Sequence, residues 1–202
     1  MLVPLLGIGT FLVLFLLATY LYPGGSQADK QAVGFSWLHN YWCNLLNVYA
    51  MNGQPNLARP VALAAMSVLC ISLSIFWYFL PLLFTFSQRG SLLIRSTGIG
   101  SMLSALFIFT NFHDLVINIA GFLGLITLTG TFIGLYKCRL IKLLWLGIGC
   151  LLLMVVNNYI YYTSDSLYYL PLVQKVTFAF VLLWISLLTI QMVAQRKVAI
   201  TD

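Results

Sequence analysis

The sequence contains no glutamate, and charged residues of all kinds make up only 7% of its 202 positions. Soluble domains carry roughly a quarter charged residues, so this composition excludes an ordinary soluble protein. Hydrophobic residues reach 61%, and the mean hydropathy is +0.99. We therefore predict an all-α integral membrane protein. Its net charge of +6 comes from basic residues that mostly occupy short loops, so we expect no nucleic-acid partner.

The sequence also lacks the patterns of common catalytic and cofactor sites. Its four cysteines show no paired spacing, which argues against a disulfide framework. GxSxG, HExxH, HxxxH, P-loop and dinucleotide-binding motifs are all missing, and we expect no cofactor. His39 and Cys43 have a spacing that zinc ligands use, but the chain has only two histidines. We therefore predict that no metal is bound.

Long apolar runs account for nearly the whole chain. A membrane-spanning helix needs about 20 apolar residues. The run from 97 to 136 is twice that length and is interrupted at 111–114, so it predicts two spans. We expect a six-transmembrane-helix bundle that forms a single domain over 1–202. The predicted spans are 2–22, 61–86, 97–112, 114–136, 143–162 and 171–195.

Small residues indicate where helices approach each other closely. Gly130 and Gly134 form a GxxxG pattern in the predicted fourth span, and Gly100 and Ser104 have the same spacing in the third. Such positions allow helix backbones to pack closely in lipid. The pattern supports a bundle without identifying the partner of each helix.

A long first loop separates the first two predicted spans. Within it, residues 36–50 place aromatic and aliphatic side chains at steps of one, three and four, with amides, a thiol and an imidazole between them. This periodicity is typical of an amphipathic α-helix. The polar face is almost uncharged, so we predict a helix that lies at the membrane interface and covers the bundle.

Basic residues predict the orientation of the chain in the membrane. Cytoplasmic loops carry an excess of lysine and arginine. Alternate connections and the C-terminal end place seven basic residues on one side: Arg89, Arg95, Lys137, Arg139, Lys142, Arg196 and Lys197. We expect that side to be cytoplasmic, with both termini inside. The first loop and the turns near 113 and 165 then face outward.

Polar residues gather at the span ends that are predicted to face outward. Polar side chains in a bilayer are costly and usually face a cavity or a partner. We therefore predict a polar outer-leaflet pocket that binds a lipid headgroup or a membrane-protein partner. The alternative for each residue is a structural role, such as capping a helix or anchoring at the interface. The predicted ligand-binding residues are Arg59, Asn40, Asn44, Asn111, Asn118, Asn157 and Lys175.

A lipid-modifying enzyme is the alternative function. His113 and Asp114 would act as a general base pair, with Arg59 or Lys175 on a phosphate, and His39 is the third catalytic candidate. We also expect Asp114 and Lys175 to form an ion pair across the outer end of the bundle. A small-solute transporter is less favoured, because the sequence shows no inverted repeat.

Several local patterns point to a known family. The first span ends in YPGG, the segment NGQPNLARP leads into the second span, a histidine lies near the start of the fourth, and QK opens a sixth that contains Trp184. Together with six spans, these features resemble the bacterial "domain of unknown function 998" membrane proteins and, through them, the DRAM-type family. The resemblance implies membrane lipid biology in the bacterial cytoplasmic membrane, and no established reaction. It points to His113 and then Arg59; relatives often carry a glutamate within 36–60, which this chain lacks.

Overall fold

The computed structural model describes residues 1–108, 110, 112–163 and 168–201, and the side chains of these residues except 113, 114 and 197–201. The described chain is all-helical, as predicted. Two short 3-10 helices cover Trp42–Leu46 and Leu80–Leu83. The α-helices of the described residues are α1 (Val3–Leu21), α2 (Arg59–Phe79), α3 (Gln88–Ala105), α4 (His113–Lys137), α5 (Ile141–Thr163) and α6 (Leu170–Thr201).

Helices of membrane-spanning length and composition confirm the prediction of a multi-pass membrane protein. Among the described residues, five segments are long and apolar enough to cross a bilayer. They are Val3–Leu21, Arg59–Leu83, Leu115–Lys137, Ile141–Thr163 and Leu170–Arg196. The second includes the 3-10 turn at Pro81, where the sequence predicts a bend because proline lacks the N–H of a continuing helix.

Helix α3 begins earlier than the sequence predicts. The expected connector up to residue 96 is helical from Gln88, and the helix therefore includes Arg89 and Arg95. The Ser87 side chain is the N-cap and accepts a hydrogen bond from the Gly90 N–H at 3.3 Å. Serine caps satisfy an otherwise free N–H of the first turn, which explains why the helix begins there. The helix thus extends beyond the span that is predicted to begin at residue 97, and the start of that span stays a prediction.

The predicted amphipathic helix over 36–50 is not a continuous α-helix. Residues 37–39 form a turn, Tyr41 is extended (φ −69°, ψ 154°), and only Trp42–Leu46 is helical, as a 3-10 turn. Asparagine side chains replace backbone partners here: Asn40 Oδ1 accepts from Ser36 N, and Asn44 Oδ1 accepts from Tyr41 N, both at 2.7 Å. Short amide side chains compete with helical backbone bonding in this way.

The chain divides into two compact units, to both of which α1, α2, α5 and α6 contribute residues. The single-domain assignment stays a prediction. The first unit comprises Met1–Gly9, Ser67–Gly147 and Leu183–Asp202. The second comprises Thr10–Met66 and Ile148–Leu182.

Small residues in the first unit lie at close helix contacts, as the GxxxG pattern predicts. A Cβ atom added to Gly130 would lie 2.8 Å from Ile94 Cγ1. One added to Gly134 would lie 2.6 Å from Phe84 Cγ. Real side chains do not approach so closely, so only glycine leaves room for these neighbours. The contact with Ile94 belongs to the pair of packed helices α3 and α4.

Trp184 forms a second tight contact in the first unit. Its indole Nε1 donates to the Leu143 carbonyl at 2.8 Å, and its side chain is 2% exposed. A Cβ atom on Gly147 would lie 2.7 Å from the Trp184 ring and 2.8 Å from Phe132 Cε1. Gly147 therefore provides the space that a buried tryptophan requires on α5.

Helix α4 ends in a left-handed residue that is not glycine. Arg139 has φ of +56°. Cys138 N donates to Gly134 O, and Leu140 N donates to Leu135 O, each at 2.9 Å. This bonding resembles the terminal motif in which a glycine usually occupies the left-handed position. The hydrogen bonds therefore hold Arg139 in a conformation that is costly for a residue with a Cβ atom.

Candidate functional site

Buried amides build the core of the first loop, defined here as residues 22–58 in the second unit. Asn40 is fully buried, and its Nδ2 donates to the Gly25 carbonyl at 2.8 Å. Its Oδ1 accepts from Ser36 N, and Nδ2 also approaches Asn44 Oδ1 at 3.4 Å. Asn44 is 4% exposed. Both predicted site residues therefore hold the loop together, and ligand binding by them stays a prediction.

Asn56, which is not among the predicted site residues, extends this network. Its Nδ2 donates to the carbonyls of Asn44, Leu45 and Asn47 at 2.9–3.2 Å. Its Oδ1 accepts from Ala58 N at 3.1 Å. One side chain thus bonds to four backbone groups close to the start of α2, with its two Nδ2 hydrogens shared among three carbonyls. The preceding Asn52-Gly53 and Pro55 predict a turn, but they do not predict that the Asn56 side chain is buried.

His39 connects the first loop to the residues that precede α6. Its Nε2 lies 2.7 Å from the Tyr168 hydroxyl, and the two rings are 4.7 Å apart. Its Nδ1 lies 3.2 Å from Ser36 Oγ, which also accepts from the His39 N–H. Burial raises the pKa of the nearby Tyr41 phenol, so that phenol is neutral at physiological pH. The contacts of His39 attach the turn at 36–40 to the far end of the chain.

Lys175 is a cationic residue about one and a half turns after the start of α6. Its Nζ donates to the carbonyls of Asn40 and Pro171, the latter at 3.0 Å. It also lies 5.6 Å from the centre of the Phe35 ring. Among the described side chains it forms no ion pair, and the side chain of its predicted partner Asp114 lies outside them. The cation is thus held by neutral oxygens and an aromatic ring, and its charge is not neutralised by these contacts.

An apolar groove in the second unit has Lys175 as the one charged residue in its lining. Its volume is about 280 Å³. Leu12, Leu16 and Trp37 are 40–56% exposed, so this side of the groove is open to the surroundings. The lining comprises Leu12, Phe15, Leu16, Trp37, Trp42, Lys175, Phe178, Ala179 and Leu182.

Aromatic rings from three parts of the chain fix the wall of the groove. Trp42 stacks on Phe15 with ring centres 4.7 Å apart, and on Phe11 at 5.9 Å. Phe178 of α6 completes the contact, 5.2 Å from Trp42. Stacked and tilted aromatic pairs add stability beyond the area that they bury. The sequence predicts an apolar stripe through Trp42, but not that α1 and α6 meet it.

Two other predicted site residues in the second unit have structural partners. Arg59 Nε donates to the Leu46 carbonyl at 3.2 Å, which attaches the first loop to the start of α2. Asn157 on α5 donates from Nδ2 to Leu153 O at 3.0 Å and to Thr177 Oγ1 on α6. Its Oδ1 is buried without a hydrogen-bond partner in the described chain. Neither residue lines the groove.

The remaining candidates are not brought to the groove by the described contacts. Asn118 is exposed on α4 and belongs to the first unit. Asn111 and the side chains of His113 and Asp114 lie outside the described residues, although the backbone of α4 begins at His113. The base pair that the enzymatic alternative requires therefore has no described geometry. Within the described chain, no group of three or more His, Cys, Asp or Glu residues could hold a metal ion.

Comparison of the chain with protein-family models, with curated proteins and with solved structures finds no match. Lys175, the first loop and the aromatic groove all belong to the second unit, where Lys175 both bonds to the loop and lines the groove.

Proposed function

We propose that this protein binds an anionic membrane lipid, with its negatively charged headgroup at Lys175 and one hydrocarbon chain in the aromatic groove. The observation that carries the proposal is the position of Lys175 as the one charged residue among the nine that line the groove. Of the two ligands that the sequence leaves open, we therefore favour a lipid over a membrane-protein partner.

The surroundings of Lys175 favour an anion. A charge placed among apolar side chains is costly unless it is paired. The described contacts of Lys175 are two backbone carbonyls, the Phe35 ring and an electrostatic interaction with the Cys43 thiol, whose pKa is raised by burial. None of these partners is a carboxylate. An ammonium has three donor hydrogens, so one remains for a ligand oxygen. A phosphate or carboxylate at this position would neutralise the cation.

The walls of the groove favour a hydrocarbon chain. Apart from Lys175, every lining residue is aromatic or aliphatic. Its volume of about 280 Å³ is at the lower end of ligand pockets, which typically measure about 300–1,000 Å³. This space suits part of one chain and not both chains of a phospholipid. The exposed side of the groove gives a membrane lipid a lateral route to it.

The membrane arrangement that accompanies this proposal follows the predicted topology. We propose that α3 is the sixth span and that both termini lie on the cytoplasmic side of a bacterial inner membrane. The first loop, with His39 and Asn40, then lies at the outer leaflet. Seven of the ten basic residues lie in the segments that the sequence predicts to be cytoplasmic, which supports this orientation.

Lipid retention by purified protein tests the proposal. Native mass spectrometry would compare the wild type with Lys175→Met, with Lys142→Met as a control that removes an exposed lysine from the first unit. We expect the wild type and Lys142→Met to retain anionic phospholipid. Lys175→Met should retain at least about tenfold less of it, because hydrogen bonds to charged groups contribute about 1.5–3 kcal/mol.

A second variant tests the groove without changing charge. Ala179 lines the groove and is exposed, so Ala179→Phe would fill the space while leaving Lys175 in place. We expect this variant to lose the lipid as well. Equal retention by Lys175→Met and Lys142→Met, or retention of zwitterionic lipids alone by the wild type, would contradict the proposed function.

A further inference from the structure

A second groove lies between α2 and α3 in the first unit. Its walls are residues of α2 between Ile71 and Phe79, together with Ile99 and Leu103 of α3. Its volume is about 340 Å³, which is within the usual range of ligand pockets. Ile71 and Leu103 are more than half exposed, so the groove is open to the surroundings.

Close packing fixes the two helices that form this groove. A Cβ atom added to Gly98 would lie 2.5 Å from Trp77 Cγ, so Trp77 packs directly against the backbone of α3. The hydroxyl of Ser74, which lines the groove, donates to the Cys70 carbonyl of its own helix at 2.8 Å. The groove therefore presents an apolar channel with walls that are held in place.

Arg95 places a cation beside one end of this groove. It lies one turn before Ile99 on the same face of α3. Its Nε donates to the Tyr78 carbonyl at 2.9 Å, and its Cζ lies 5.0 Å from the centre of the Tyr78 ring. Tyr78 is itself a groove residue, so these contacts attach the guanidinium to the wall of the groove.

These contacts leave most of the guanidinium donors free. The Tyr78 carbonyl is one of the last in α2, where carbonyls have no partner inside the helix, so the bond from Nε has a structural role. An arginine side chain has five N–H donors, and the described residues engage only this one. The two terminal nitrogens match two oxygens of a phosphate, and the contacts with Tyr78 already hold them in position.

We propose that this groove is a second anionic-lipid site, in which a phosphate accepts from the terminal nitrogens of Arg95 and one acyl chain lies between α2 and α3. The proposal goes beyond the site at Lys175, because it uses other residues in the other unit. The rise from Ile71 to Tyr78 is about 10 Å, which suits part of one chain. In the proposed orientation this end of α2 is cytoplasmic, so the lipid comes from the inner leaflet, whose anionic headgroups attract basic residues near the membrane.

A second copy of this chain is a less suitable occupant of the groove. Arg95 requires an anion, and the whole sequence has only four acidic residues. Every molecule of an anionic phospholipid, in contrast, carries a phosphate next to its hydrocarbon chains. Complementary charge therefore favours the lipid.

The test counts bound lipids by native mass spectrometry during titration with dioleoyl phosphatidylglycerol, with dioleoyl phosphatidylcholine as the zwitterionic reference. Arg95→Gln removes the cation, and Arg89→Gln is its control, because Arg89 is exposed on the same helix. Ser74→Phe fills the groove while leaving Arg95 and its bond to Tyr78 in place. Its control is Ser96→Phe, which adds the same ring at an exposed position outside the groove.

We expect Arg95→Gln and Ser74→Phe each to weaken one phosphatidylglycerol binding event by roughly tenfold or more, and both controls to bind like the wild type. The same losses should appear in the Lys175→Met background, which lacks the first site. Unchanged binding in Arg95→Gln, or equal weakening by each variant and its control, would overturn this inference. So would a dimer that Arg95→Gln dissociates without changing lipid binding. If Lys175→Met had no effect while Arg95→Gln did, the proposed function would fail and this inference would stand.

Discussion

Replacing Asn40 by alanine should open the first loop. The side chain is fully buried and bonds to Ser36 N at 2.7 Å and to Gly25 O at 2.8 Å. Alanine would leave the Gly25 carbonyl buried without a partner and the partly buried Ser36 N–H unpaired, and each such group costs about 1–3 kcal/mol. We therefore expect Asn40→Ala to destabilise the folded loop by about 2–6 kcal/mol. The 3.4 Å contact with Asn44 adds little to this sum.

Hydrogen exchange measured by mass spectrometry would detect this opening directly. Each 1.4 kcal/mol is a factor of ten, so amides of residues 23–58 should exchange at least about thirtyfold faster in Asn40→Ala. Asn47→Ala is the control, because Asn47 lies in the same loop but is exposed. Exposed substitutions of this kind usually change stability by less than about 0.5 kcal/mol. Similar exchange rates in the two variants would refute the idea that the Asn40 amide supports the loop.

Three further predictions concern other parts of the chain. Gly147→Ala should lower the melting temperature in detergent by several degrees, because the added Cβ would overlap the buried Trp184 ring. Gly149→Ala is the control and should have no such effect, since nothing lies within 4 Å of its Cβ position. Equal melting temperatures of the two variants would contradict this packing. Arg139→Gly should raise the free energy of unfolding by about 1 kcal/mol, because glycine adopts positive φ without strain; a decrease would show that the arginine side chain outweighs the strain. A membrane-impermeant maleimide should label Cys43 in intact cells and Cys138 only after permeabilisation; the reverse pattern would overturn the proposed orientation.

The long helices could be predicted because each is specified by its own stretch of sequence. Apolar runs of bilayer length match α1, α4 and α5 to within two residues, and they match the starts of α2 and α6 equally well, although α2 ends seven residues earlier and α6 six residues later than the predicted spans. The turn at Pro81 follows from local chemistry in the same way. The helical start of α3 at Gln88 was not predicted, because hydropathy places the segment with Arg89 and Arg95 in a connector and takes no account of a serine N-cap.

The first loop and the groove could not be predicted because their contacts join distant residues. The apolar period of 36–50 suits a helix, but the Asn44 side chain accepts from the Tyr41 N–H, which a helix would have used internally, and the Asn40 amide bonds to the distant Gly25 carbonyl. Lys175 was expected to find a carboxylate, and its described partners are carbonyl oxygens, which every residue carries and no sequence pattern marks. Likewise, nothing in a local pattern predicts that Trp42 stacks on Phe15.

The bond between Lys175 and the Asn40 carbonyl has a consequence for the order in which this protein matures. Its two residues are 135 positions apart, and those of the His39–Tyr168 contact are 129 apart. At about 5–20 residues per second, translation needs roughly 7–27 seconds to pass from one partner to the other. During that interval the loop has left the ribosome without the helix that secures it. Helix α6 therefore completes a loop that was made well before it, and a chain truncated before α6 should leave that loop accessible to proteases.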